Sequence, residues 1–412
     1  MAITLTNCQK NALQDFIRFI NNPTQTKFVL SGGAGYGKTT LVGYFLNELT
    51  KANEIHNILK TEGKITSIKY CASTHKAAKV LSDVVGEPVS TIHSMFSLTR
   101  GFDKDTGDEY YFKNPRKEVN FPKNTLLIVE ESSMISDSLL ALMEKHMQPG
   151  CKVLFLGDGY QLPPVNHIDS PVFTKTSIGS NLDTAVRFDN QELVDLNVEL
   201  RLAITENRLP KLKEGNHIKL VGKDEFLRHM IEVHKIGIDA KTVAWTNVQV
   251  KAYSNVIHKE IFGADKYNVG QKIVAKTTFG GTGNLISSQQ EMIIEEPPVE
   301  IIRDIGKEHI EFTQLVTDIG TITIPNNRAK AMRAIKPFKD AKQWRLWYDY
   351  KDTFAEVTNG YSITAHQAQG STYDYVFADL QNIMKNGNFP EMLRLLYVSL
   401  SRARKEIILY GG

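Results

Sequence analysis

The chain has 412 residues, 42% hydrophobic and 23% charged, with 49 Lys and Arg against 46 Asp and Glu for a formal charge of +3. That length exceeds one ordinary core and predicts two or three domains, while the balanced charge excludes a generally polybasic protein and confines any nucleic-acid surface to a local patch. No apolar run approaches the roughly 18 residues of a membrane span, no secretory pattern opens the chain, and the separated Cys8, Cys71 and Cys151 argue against disulfides or structural zinc. A cytoplasmic protein is expected.

Residues 9–22 have helical spacing, and FVLSGGAGYGKTT (28–40) then reads as a buried strand, a glycine-rich turn and a helix start. Inside it lies G-x-x-x-x-G-K-T, from Gly32 through Gly33, Ala34, Gly35, Tyr36 and Gly37 to Lys38, Thr39 and Thr40. Glycines let successive backbone N–H groups turn inward on phosphate oxygens, and the following helix adds its positive dipole end. Lys38 is expected on the β- and γ-phosphates and the Thr39 hydroxyl on Mg²⁺. The segment predicts binding of a nucleoside triphosphate.

Apolar strands Ile65–Ala72, Thr125–Val129 and Val153–Leu156 follow, each ending in polar residues, with a helix running through Leu81. Strands alternating with helices predict a doubly wound parallel sheet whose functional edge is where the strands end. Thr125–Val129 ends in Glu130-Glu131, suited to ordering Mg²⁺ and to positioning and deprotonating a water, and GDGYQLPPV (157–165) offers Gln161 to a γ-phosphate. Between Ser97 and Asn124 the rhythm gives way to a small β excursion around the turn Asp105-Thr106-Gly107-Asp108.

From about Phe188 the alternation resumes, with a strand expected at Val243–Thr246 and a helix at Val248–Phe262. Residues 267–325 then break into short β pieces (271–276, 291–295, 299–303, 310–316, 321–324), read as a small β barrel inserted in a second α/β domain. The stretch 328–351 carries eight Lys and Arg against two Asp, with Trp344, Trp347 and Tyr348 interleaved; it suits a DNA-facing or partner-facing surface, and reads first as an amphipathic helix bracing that insertion. Residues 361–410 return to strand, helix and strand.

GGAGYGKT, EESSM and GDGYQLPP together resemble the superfamily 1 helicases, specifically the RecD-like branch and its bacteriophage Dda type, and the likeness runs over nearly the whole chain. LTNCQKNAL (5–13) is similar to that family's adenine-reading motif, with Gln9 as reader; STHKAAKVL (73–81) and STIHS (90–94) are similar to its single-strand DNA motifs. VDLNVELR (194–201) resembles the segment carrying a γ-phosphate arginine, here Arg201; YSITAHQAQGST (361–372), with Gly370, and LLYVSLSRAR (395–404), with Arg402, resemble its last two motifs. The family's usual Asp-Glu pair is Glu130-Glu131 here, which changes the reach to Mg²⁺.

The resemblance implies two RecA-like parallel-sheet domains, 1–187 and 188–412, with a β insertion at 95–124 in the first and an SH3-like barrel with helical extension at 267–355 in the second. It implies ATP and Mg²⁺ at the seam of the two domains and Arg201 and Arg402 as arginine fingers. It implies 5′-to-3′ movement on single-stranded DNA, unwinding of forked duplex, a monomer, and partners among replication or recombination proteins. Short polar side chains at Thr74, His75, Thr91, His93, Thr364 and His366 suit phosphate contacts without sequence reading, and Tyr111 or Phe112 suits a strand-separating wedge. A single-stranded-DNA-binding protein with an impaired ATPase, or a P-loop phosphotransferase, stays open as an alternative.

Overall fold

The computed structural model describes residues 4–59, 63–102, 109–114, 119, 121–164, 167–186, 190–263, 266–280 and 285–411, with backbone alone for 99–102, 109–111, 285 and 344. The chain divides into two compact units that no single cut separates. One holds Met1–Lys219, Ala368–Thr372 and Asn386–Glu406; the other holds Leu220–Gln367, Tyr373–Lys385 and Ile407–Gly412. The boundary expected at 187 and 188 falls outside the described residues, as does the turn at 105–108.

The first unit is built on a six-stranded sheet in the order Ser90–Thr91, Ser67–Ala72, Thr125–Glu130, Lys152–Gly157, Lys27–Gly32 and Gly179–Leu182. Every ladder in it is parallel, with Ser31 opposite Gly157 and Ala72 opposite Glu130. Period-two alternation explains why both faces are covered. Phe28, Leu30, Leu126, Ile128, Leu154 and Leu156 pack on one side, while Val29, Leu127, Val129, Val153 and Phe155 pack on the other. Burying strands on both faces requires near-continuous apolar runs, and these are the runs the sequence carries.

Among the strand starts that differ from expectation, two have clear local reasons. Ile65 lies outside the strand because the Asn53 side chain takes its backbone, donating to the carbonyl at 2.9 Å and accepting from its N–H at 3.1 Å. In the second sheet the expected strand Val243–Thr246 is instead Ala240–Ala244, and the Thr246 hydroxyl caps helix Asn247–Phe262 by accepting from Gln249 N. Ala240 and Lys241 lack the β-branched signature of a central strand, whereas Thr246 carries it but spends its hydroxyl on a cap.

That second sheet runs Ser362–Thr364, Ala240–Ala244, Tyr373–Asp379, Ala403–Tyr410, Ile218–Val221, and Ala240–Ala244 pairs in parallel with both its neighbours. The expected β pieces form small antiparallel sheets. Lys272–Ala275 lies between Glu291–Ile293 and Val357–Asn359, Phe279–Gly280 pairs with Leu285–Ile286, and Val299–Ile305, Glu308–Thr317 and Gly320–Pro325 form a meander. Isolated bridges at Ile294–Thr317 and Thr323–Phe354 link these pieces. Where one helix was expected there are two, Arg328–Asp340 and Trp344–Thr353, parted at Lys342 with φ 57°, and they brace the meander: Phe338 stacks on Tyr350, and both pack with Trp347 against Phe312, Ile335 and Phe354. Lys339 and Lys351 lie over the Trp347 ring, which accounts for the interleaving of bases and aromatics.

Among the described residues no helix is long and apolar enough to cross a membrane, and all three cysteines are free, as the spacing predicts.

Candidate active site

Because strand Lys27–Gly32 sits inside the sheet, its carboxyl end opens among the ends of its neighbours, and the phosphate loop forms there. Gly35 and Gly37 adopt φ of 81° and 79°, the left-handed region that glycine enters without strain. Helix Lys38–Leu59 starts directly behind the loop. Gly32 and Gly33 leave room rather than curvature: a Cβ on Gly32 would lie 2.9 Å from Leu182 Cβ, and one on Gly33 would lie 2.6 Å from the Tyr36 ring.

One cavity collects nearly all the expected nucleotide residues. Ala34 to Thr40, Glu130, Glu131, Gln161, Gly370 and Arg402 line it, joined by Val80, Ser371 and Thr372. All of these belong to the same compact unit, although the chain positions run from 34 to 402.

Lys38 Nζ donates to the carbonyls of Gly32 at 2.7 Å and Gly33 at 3.0 Å, so the ammonium already hangs over the loop. The Thr39 hydroxyl donates to Glu130 Oε1 at 3.3 Å. Burial above all, and the neighbouring Glu131 carboxylate next, push the Glu130 carboxyl up to about 7 against the pull of Lys38. Glu131 takes a left-handed backbone, φ 53° and ψ 48°, where the strand breaks into a short turn of helix at Ser132–Met134. A non-glycine residue held there costs free energy, and the bend brings the carboxylate toward Gly370, whose Cβ position lies 3.5 Å from Glu131 Oε1.

Glu130 Oε2, Glu131 Oε2 and Gln161 Oε1 are buried without a hydrogen-bond partner. Orphaned buried acceptors mark a place where a cation or a donor belongs. The hydroxyl of Thr39 and these carboxylate oxygens make an all-oxygen donor set suited to a hard cation bound chiefly through its phosphate partner. Among the described residues no group of three or more His, Cys, Asp or Glu is placed to hold a metal ion.

Arg402 is 2% exposed, with Nε donating to Val398 O at 2.8 Å, Nη2 to Ser401 Oγ at 2.9 Å and Nη1 to Ser371 O at 3.4 Å. Arg201 lies 4.4 Å above the Tyr160 ring and 5.3 Å from that of Tyr36, and its Nη2 is 3.8 Å from Asp158 Oδ1. That same Nη2 has no hydrogen-bond partner. Arg201 stands beside the cavity behind Tyr36 rather than lining it.

Gln9 also stays outside the lining. Its Oε1 accepts from Thr6 N at 3.0 Å, completing a capping box on helix Asn7–Asn21, and its Nε2 donates to Tyr36 O at 3.3 Å. The sequence motif therefore builds a brace between that helix and the phosphate loop.

The threonines expected on the nucleic-acid track all cap helices. Thr74, Thr91 and Thr364 accept from Ala77 N, Ser94 N and Gln367 N. His75 and His366 are exposed, and burial holds the His93 imidazole below its ordinary pKa. Phe112, 39% exposed, sits on a hairpin whose strands are Leu98–Phe102 and Glu109–Lys113; the Tyr111 side chain lies outside the described residues.

Sequence reasoning missed residues that shape the site. Tyr397, fully buried, donates its hydroxyl to Asp158 Oδ2 at 2.5 Å, and Gln369 Nε2 donates to Ser133 Oγ at 2.9 Å. Both lie inside recognised motifs, 361–372 and 395–404, where neither side chain was assigned a role.

A parallel sheet feeding a glycine-rich phosphate loop, with carboxylates at the end of the strand two places away in that sheet, defines a RecA-like P-loop protein. The profile of the AAA domain family matches residues 4–223, and that of the UvrD-like helicase C-terminal domain matches residues 359–410. The chain belongs to the AAA domain family and, within it, is a superfamily 1 helicase relative of the RecD-like branch, similar to the Dda type. It is 25% identical to the ATP-dependent DNA helicase Dda of Enterobacteria phage T4, over 98% of each chain. It is 24% identical to the ATP-dependent DNA helicase Pif1 of Bdellovibrio bacteriovorus, over 91% of this chain and 81% of that one. The crystal structure of Bacteroides Pif1 with ADP-AlF3 and single-stranded DNA shares the fold, with a TM-score of 0.54 at 17% identity over 100% of this chain and 93% of that one.

Proposed function

We propose that this protein is an ATP-dependent DNA helicase that moves 5′ to 3′ on single-stranded DNA and unwinds forked duplex as a monomer. The observation that carries the reading is the single cavity in which the phosphate loop, Glu130-Glu131, Gln161, Gly370 and Arg402 meet. A nucleotide pocket lined by a phosphate loop and an arginine from the far end of the sequence is suited to ATP turnover linked to movement.

In this reading the division into RecA-like domains falls at 187 and 188, Lys38 moves from the Gly32 and Gly33 carbonyls to the terminal phosphates, and the second N–H of Gln9 Nε2 reads adenine. Thr39 and Glu130 hold Mg²⁺, which supplies charge neutralisation on the phosphates. Glu131 accepts a proton from the attacking water, Gln161 senses the γ-phosphate, and Arg402 with Arg201 neutralises charge on the transferring group. Thr74, His75, Thr91, His93, Thr364 and His366 contact the DNA backbone, and replication or recombination proteins are partners.

The deciding experiment measures ATPase with and without single-stranded DNA and then unwinding of 5′-tailed against 3′-tailed duplexes. Stimulation by DNA and preference for the 5′ tail are expected; turnover indifferent to DNA would sink the reading. One observation favours a second one: the longer Glu130, raised to about 7 and tied to Thr39, fits a single-stranded-DNA-binding protein with an impaired ATPase. DNA binding with negligible turnover at any magnesium concentration would select it.

A further inference from the structure

We propose that Arg394 is a positioning residue for Gln161, an inference that rests on the helicase reading above. Helix Phe389–Leu400 ends immediately before Ser401 and Arg402. Two of its inward side chains, one turn apart, grip the loop that carries Gln161. Arg394 Nη1 donates to the carbonyls of Gly159 at 2.6 Å and Gln161 at 2.9 Å, and Nη2 pairs with the Asp169 carboxylate. Tyr397 adds its bond to Asp158 and sets its ring edge-on to Tyr160, with centroids 6.4 Å apart. The four consecutive residues 158–161 are thus fixed from one helix face, and Gln161 N closes the turn on Asp158 O at 3.1 Å.

The guanidinium suits this task and an ammonium does not. A planar fork serves two carbonyls on one edge and a carboxylate on the other, whereas lysine offers a point charge on a flexible stem. Arg394 does not line the nucleotide cavity; Gln161 does, with its Oε1 buried and unpartnered. Whatever Arg394 contributes to turnover therefore passes through the placement of Gln161, and the same helix delivers Arg402 to the same cavity. Loss of the grip leaves the pocket complete in composition but loose at the γ-phosphate end.

A double-mutant cycle on ATP turnover tests this in the full chain, with Arg394→Met, Gln161→Ala and the pair. Misplacement of one group by about 1 Å costs on the order of 100-fold, so Arg394→Met should lower kcat by about 10- to 100-fold with KM for ATP unchanged. The double variant should be no slower than Gln161→Ala alone, because both remove one function. Arg394→Lys, which keeps a cation opposite Asp169, should track the Met variant in kcat; if the Met variant does not fold, the cycle is run with Lys. Losses that multiply in the double variant, or wild-type kcat in Arg394→Lys, would overturn the inference. Should the wild type lack stimulation by single-stranded DNA, the helicase reading fails, while the cycle is still read on basal turnover.

Discussion

The Nε2 of Gln9 donates to the carbonyl of Tyr36 at 3.3 Å, and a Cβ on Gly37 would sit 2.7 Å from the same nitrogen. The first helix and the phosphate loop are therefore in direct register through one amide. Losing a buried hydrogen bond of this kind costs roughly 1–3 kcal/mol, so Gln9→Ala should weaken ATP binding by about tenfold or more. Gln9→Glu keeps the acceptor for Thr6 N but loses both donors, and should weaken ATP as the alanine does. Fluorescent-nucleotide titration reads both; a glutamate variant with wild-type affinity would rule out the brace.

Glu131 is held at a left-handed backbone with an unpartnered Oε2 in the cavity. Removal of a general base typically lowers turnover by about 10²–10⁴-fold. Glu131→Gln should lose turnover on that scale while nucleotide binding persists, since the loop and Lys38 are untouched. Equal loss of binding and turnover would assign Glu131 to structure instead.

The Arg402 guanidinium is buried and bonded on three nitrogens to Val398, Ser401 and Ser371. Arginine fingers contribute about 10³–10⁵ in turnover, so Arg402→Ala should cut kcat by at least about 10³-fold. Arg402→Lys, keeping charge but not the fork, should recover thermal stability ahead of activity. Stability and kcat that return together would argue for a packing role alone.

The nucleotide site was legible because its chemistry admits few residue types. A phosphate loop needs glycine at 35 and 37, where φ is positive, and needs Lys38 and Thr39 behind them. The sheet was legible because strands covered on both faces must be apolar along their length, as Leu126–Val129 is within the buried strand Thr125–Glu130. Less was legible where one residue serves two purposes. Gln9 sits in a recognised motif, yet its bonds to Thr6 and Tyr36 are tertiary and invisible in spacing. Tyr397 and Asp158 meet across 239 residues, and no local pattern encodes such a pair. Thr246 shows the converse, a β-branched residue whose hydroxyl makes it a cap.

Phe112 is 39% exposed on a two-stranded hairpin, opposite Thr99. Stacking on a base is worth about 1–3 kcal/mol, comparable to the roughly 1.4 kcal/mol of a base-pair step. Phe112→Ala should reduce unwinding of forked duplex severalfold with DNA-stimulated ATPase retained, measured by strand-separation fluorescence. Intact unwinding would dismiss this ring as the wedge.

His234, on helix Lys223–Lys235, packs its ring against Tyr361 at 5.5 Å and Phe377 at 6.3 Å, with Nε2 sealed from solvent and unpartnered. Burial first, then the Lys241 and Lys272 cations, hold its pKa down to about 3 from an ordinary 6.5. Between those values the unfolded chain binds a proton that the folded one refuses, so this group's contribution to stability is lost as pH falls below 6.5. The slope is at most about 1.4 kcal/mol per pH unit. His234→Phe removes the titration while suiting the aromatic surroundings, and its denaturation midpoint should fall less steeply than the wild type's between pH 6.5 and 4.5. Parallel pH profiles for the two proteins would show that the imidazole is protonated in the fold and that the ring is not sealed as its neighbours imply.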